Sequence, residues 1–148
     1  MKIDEEPVVV EQSFDASVET VWNAITVVVE MRQWYFDNIP AFDPRVGFET
    51  QFNIHNEGRD FLHLWKVLAV EPLKKLTYEW KFKGYAGDSF VTWELFKHDD
   101  STTLRLTCTV LEDFSDDIPE FQRKSCLAGW RYFLRERLKE YLETHEES

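Results

Sequence analysis

Cysteine occurs only twice, at Cys108 and Cys126, too few for a disulfide framework. With no export signal ahead of them, the pair reads as reduced thiols. No apolar run approaches the ~18 to 20 residues needed to cross a membrane. The stretch from Ile25 to Val29 is interrupted by Thr26 and stops at Glu30. A secretory leader would open on a basic segment, whereas MKIDEEPVVV is acidic, so a cytoplasmic protein is expected. Positive charge is scarce as well: 17 Lys and Arg stand against 28 Asp and Glu, a net charge of −11. Binding to phosphate backbones needs clustered Lys and Arg, and nucleic acid is therefore excluded as a partner. The densest basic group, Arg131, Arg135, Arg137 and Lys139, is interleaved with Glu136, Glu140 and Glu143, the pattern of a solvated helix face.

Chemical motifs are missing too. There is no GxSxG, no HExxH, no Gly-rich phosphate loop and no CxxC, and so neither a catalytic constellation nor a cofactor is expected. His55, His63, His98 and His145 are dispersed and offer no metal site. LEDFSDDIPE (111–120) reads as a solvated loop leading to a helix start, where negative charge is favourable. His63 lies in a strand beside Trp65; it is either an outward or hydrogen-bonded side chain, or a general base facing a ligand.

What the sequence does have is aromatic residues, 16% of 148, set at regular intervals. In LTYEWKF (76–82), Leu76, Tyr78, Trp80 and Phe82 alternate with polar positions, the period of a strand with one dry face. Similar alternation predicts strands over 8–14, 46–54, 91–95 and 104–110, with HNEGRD (55–60) and KGYAGDS (83–89) as turns. In 61–70 the leucines share one phase and Trp65 and Val67 the other, which a bulge would reconcile. Ser17 is placed to cap a short helix carrying Val18, Val21, Trp22 and Ile25. A second short helix is expected over 30–36. A long C-terminal helix is predicted with Asp116 or Asp117 as its cap, Pro119 in its first turn, and a stripe of Leu127, Trp130, Leu134, Leu138 and Tyr141. The chain therefore reads as one domain, 1–148, of the α+β class: six antiparallel strands in a curved sheet, two short helices, and the long helix packed across the dry face.

That order, with ASVETVWNAIT (16–26), the pair Trp34 and Tyr35, VLAVEPLKKLTYEW (67–80), VTWEL (91–95), LRLTCT (104–109) and GWRYFLRERLKEYLE (129–143), resembles the helix-grip superfamily of START-like and Bet v 1-like proteins. Within it, the chain looks like the group related to the activator of Hsp90 ATPase. The resemblance covers nearly the whole chain and implies a helix-grip fold enclosing a hydrophobic cavity. It does not supply a ligand, because this scaffold hosts carriers, cyclases, aromatases and chaperone activators. Where members of the group often carry a histidine followed by Ser-Gly in the last strand, this chain has Cys108, Thr109 and Val110. Eukaryotic Hsp90 activators carry a further N-terminal domain, for which 148 residues leave no room.

Alternation and helical spacing aim Phe48, Phe52, Tyr78, Trp80, Trp93 and Trp130 into the space between sheet and helix. Leu106 and Cys108 share the inward phase of the last strand, with Cys126 on a neighbouring part of the helix. Trp34 and Trp65 complete the candidate ligand-binding set. These rings either fill a core or line a pocket. An empty cavity of about 300 Å³ would cost roughly 7 kcal/mol, so the space must be substantially collapsed, wet or occupied. The leading expectation is a non-enzymatic binder of a small hydrophobic or aromatic molecule. The alternatives are a cyclase- or aromatase-type enzyme using His63, Tyr78 or Tyr132 on protons, and a partner of an Hsp90-type chaperone.

Overall fold

The structure is a computed structural model that describes residues 1–146. Six strands, β1 (Val8–Phe14), β2 (Glu49–Asn56), β3 (Arg59–Glu71), β4 (Lys75–Phe82), β5 (Asp88–Lys97) and β6 (Thr102–Glu112), form one antiparallel sheet in the order β1-β6-β5-β4-β3-β2. The last strand pairs with the first, so β1 and β2 are the two edges. Between them run α1 (Val18–Thr26) and α2 (Val28–Trp34). Ser17 caps α1 as expected, its Oγ accepting from the Thr20 amide at 3.2 Å.

The alternation sets the dry face. In β3, Phe61, His63, Trp65 and Val67 are buried, and a register shift between Val67 and Ala69 leaves Leu68 at 41% exposure. The expected bulge is thus at Leu68, and it lets the aromatic phase, rather than the leucine phase, face inward. β3, β5 and β6 each run one to three residues further at both ends than the sequence reading, and three other boundaries differ. The hairpin between β2 and β3 is tighter, because Glu57 and Gly58 both adopt positive φ (51° and 78°), the geometry of a two-residue turn. Val46, expected on the inner face, is 63% exposed, since Gly47 at φ 92° turns the chain just before β2 begins. α2 starts two residues earlier than expected, directly after Val27.

Neither Asp116 nor Asp117 caps the C-terminal helix. Pro119–Phe121 forms a separate 3₁₀ turn instead, and α3 (Arg123–Arg131) starts from Gln122 without a side-chain cap. The helix continues through a π-helical stretch, Tyr132–Leu138, into α4 (Lys139–Glu146), past the frayed end expected from Thr144. Residues 147 and 148 lie outside the described residues. Its buried side chains are Trp130, Leu134, Leu138 and Leu142, four residues apart each time. In an ideal α-helix a step of four overshoots a full turn by about 40°, so this stripe would wind off the sheet. The wider π turn takes up the overshoot and keeps the stripe facing inward.

Candidate functional site

The aromatic residues divide the space under the helix into a packed end and an open end. At the packed end, Tyr35 lies nearly parallel to Trp34 with ring centroids 4.7 Å apart, and stands near Trp65 (5.7 Å) and Trp93 (6.0 Å). Its hydroxyl meets that of Tyr78 at 3.3 Å. Burial pushes both phenols well above their ordinary pKa, so the pair is a neutral hydrogen bond. The Trp34 indole donates to the Ala24 carbonyl at 2.8 Å. The Trp65 and Trp93 indole nitrogens are buried without a hydrogen-bond partner.

The open end holds a cavity of about 140 Å³. The sheet contributes Trp80 and Phe82 from β4, Ser89 and Val91 from β5, and Cys108 from β6. The C-terminal helix contributes Ser125, Cys126, Gly129, Trp130 and Phe133, and Phe36 closes the side nearest the packed end. The floor is Phe114 and Phe121, both 1% exposed, which form a second small core with Phe61. At the rim the Met1 amino group donates to the Phe121 carbonyl, and Glu120 is held by Arg59 and Asn56 at 2.8 and 2.7 Å. Wider depressions of about 490 and 760 Å³ lie elsewhere on the surface, but Lys and Glu side chains such as Lys66, Glu79, Glu94 and Lys97 line them.

Four of the eleven candidate residues, Trp80, Cys108, Cys126 and Trp130, therefore line the cavity. Trp34, Phe52, Trp65, Tyr78, Trp93 and Leu106 are buried in the main core, and Phe48 packs half-buried against it beside Phe42. Sequence reasoning missed Phe36, Phe133, Phe114 and Phe121 at the cavity. The last two lie within and just beyond LEDFSDDIPE, where the run of acids obscured an apolar spacing of Phe114, Ile118 and Phe121 that was there to be read. Glu112, Asp113, Asp116 and Asp117 of that segment are exposed as expected, but Glu120 is tied to Arg59 and Asn56, and Phe114 and Phe121 are among the most buried residues of the chain.

Titratable groups divide in the same way. His63 is 6% exposed, stacked on Phe52 at 4.9 Å, and its Nδ1–H donates to the Phe61 carbonyl at 2.9 Å. Burial lowers its pKa to about 4, so the ring is neutral and turned towards backbone rather than the cavity. Tyr132 is 44% exposed on the outer side of the helix. Cys108 and Cys126 are free thiols facing each other. The Cys126 neighbour and burial raise the Cys108 pKa, while hydrogen bonding from Cys108, with help from Trp130 and Arg123, lowers that of Cys126. No group of three or more metal-ligating side chains occurs among the described residues, nor does any helix long and apolar enough to cross a membrane.

Comparison with known proteins gives the same architecture. Residues 15–143 match the family model described as Activator of Hsp90 ATPase homolog 1-like protein. Among solved structures the chain is similar to DynU16, from the dynemicin biosynthetic locus (28% identity, TM-score 0.75), covering 95% of this chain and 48% of that one. The chain thus spans about half the length of DynU16. It is also similar to MLL2253 from Mesorhizobium loti (28% identity, TM-score 0.73), over 94% of this chain and 98% of that one. The Aha1 dimer from Colwellia psychrerythraea shares the fold at 19% identity and TM-score 0.70, over 94% and 97% of the two chains. No curated protein matches the chain.

Proposed function

The chain belongs to the Activator of Hsp90 ATPase homolog 1-like family, and from that premise we propose that it binds a small hydrophobic or aromatic molecule, without catalysis, in the cavity beneath the C-terminal helix. The observation that carries this reading is Gly129. It sits inside α3 and lines the cavity, and a Cβ added there would meet nothing within 4 Å. A helix-interior glycine costs about 1 kcal/mol relative to alanine, and an empty apolar space of 140 Å³ costs at most about 3 kcal/mol more, the figure for a fully enclosed void. The cost of the void is relieved if something occupies the space; the cost of the glycine is not, but a larger side chain there would fill the space. The volume suits one aromatic ring, since apolar cavities of ~150 Å³ take up benzene. A larger ligand enters by displacing Phe36 or Phe133. DynU16, as a protein of a biosynthetic locus, is compatible with a small-molecule ligand.

The cyclase or aromatase reading has less support, because none of His63, Tyr78 and Tyr132 lines the cavity. A chaperone partner draws on the family alone; the net charge of −11 would speed its encounter with a basic patch. We place the protein in the cytoplasm, a reading supported by its two free thiols. The test is calorimetry and thermal shift with benzene, indole and a medium-chain fatty acid, on the natural chain and on Gly129→Leu. The natural chain should bind at least one aromatic probe saturably. The variant should lose that binding while melting no lower. Absence of binding by the natural chain, or full binding by the variant, overturns the assignment.

A further inference from the structure

Two of the cavity-lining groups are thiols. Cys108 reaches the cavity from β6, paired in the sheet with Val8 and Val91, and Cys126 reaches it from the fourth residue of α3. Cys108 is 4% exposed and Cys126 half-buried, so Cys126 is the more accessible of the two. Neither thiol is equivalent to the other. Hydrogen bonding from Cys108 lowers the Cys126 pKa against the opposing effect of burial, with help from the Trp130 indole and the Arg123 guanidinium, whereas the Cys108 pKa is raised. This is the division of labour in a reactive dithiol: an accessible attacking sulfur and a buried resolving one.

We propose that Cys108 and Cys126 form a peroxide-sensitive dithiol site, which closes to an intramolecular disulfide tying β6 to the C-terminal helix across the cavity. The Cys126 thiolate attacks one oxygen of hydrogen peroxide. The O–O bond breaks, leaving a sulfenic acid and hydroxide, which takes up a proton as water. Cys108 then attacks the Cys126 sulfur, its S–H proton leaves with the departing hydroxyl as a second water, and the S–S bond forms. Two thiols are oxidised by two electrons and one peroxide is reduced to two waters. Closure requires the sulfurs to approach to about 2 Å, and both already line the same cavity. The disulfide removes both thiols from the cavity wall and fixes the helix to the sheet beside the cavity. It stands independently of any ligand.

The test uses the full chain, reduced and then exposed to hydrogen peroxide. Intact mass under non-reducing conditions should fall by two hydrogens per chain, and digestion should give one Cys108–Cys126 cross-linked peptide that dithiothreitol reverses. Cys108→Ser should stop at a sulfenic acid on Cys126, trapped by dimedone. Cys126→Ser should oxidise at Cys108 at least about tenfold more slowly. Far-ultraviolet circular dichroism confirms that each variant is folded, and the result on the natural chain decides the matter by itself. The site is overturned if, after peroxide, both thiols of the natural chain remain open to alkylation, or if the only products are intermolecular disulfides or sulfinic acids.

Discussion

Buried one strand away from the cavity, His63 turns its own protonation into a property of the fold. Its ring titrates at about 4 in the folded chain against 6.5 for an ordinary histidine. Between those values the unfolded chain takes up a proton that the folded chain refuses. The stability present above pH 6.5 is therefore lost as pH falls through that window, by up to about 3 kcal/mol. Urea unfolding at about pH 7 and pH 5 should show this loss, and His63→Phe, which keeps the ring but cannot titrate, should reduce it sharply. Gly87 makes the second residue-level case. At φ +116° a Cβ would stand 2.5 Å from the Phe114 ring, and that ring is 1% exposed at the cavity floor. Backbone strain and the clash act together, so Gly87→Ala should destabilise by about 2 kcal/mol or more in chemical denaturation.

At the level of elements, α3 is a helix that begins without help. Its first residues have no side-chain cap, although Gln122 has the extended backbone (φ −75°, ψ 147°) of a cap position. Gln122→Ser should stabilise the protein by about 0.5 to 1 kcal/mol, read as a higher urea midpoint at unchanged slope. The strands were legible because the half-buried sheet imposes a period of two, and Tyr78, Trp93, Leu106 and Cys108 all kept their inward phase. Boundaries were less legible, since Glu57 in a positive-φ turn and Gly47 before β2 are settled by backbone conformation rather than by apolar spacing. The π stretch was hidden for a related reason. A spacing of four reads as helical, and only its repetition from Trp130 to Leu142 implies that the turn must widen.

For the molecule as a whole, sequence located the grip between sheet and helix but not where in it space survives. That depends on how rings nest in three dimensions: Tyr35 fills the end flanked by Trp34, Trp65 and Trp93, while Gly129 and Cys126 are too small to fill the other. Residue types alone rank these positions in the opposite order, because large aromatics suggest a pocket and glycine suggests nothing. The strand order carries a different consequence. β1 hydrogen-bonds to β6, with Val8 opposite Cys108 and Phe14 opposite Thr102, so β1 has no strand partner until the sixth strand of the sheet has been made. Pairing across such a separation is slow. Pulse-labelling hydrogen exchange during refolding should find the β1 amides protected after those of the β3–β4 and β4–β5 hairpins; simultaneous protection would refute this order. Until then an apolar strand, VVVEQSF, waits unpaired, flanked by the acidic residues Asp4, Glu5 and Glu6, charges of the kind that disfavour aggregation of exposed strands.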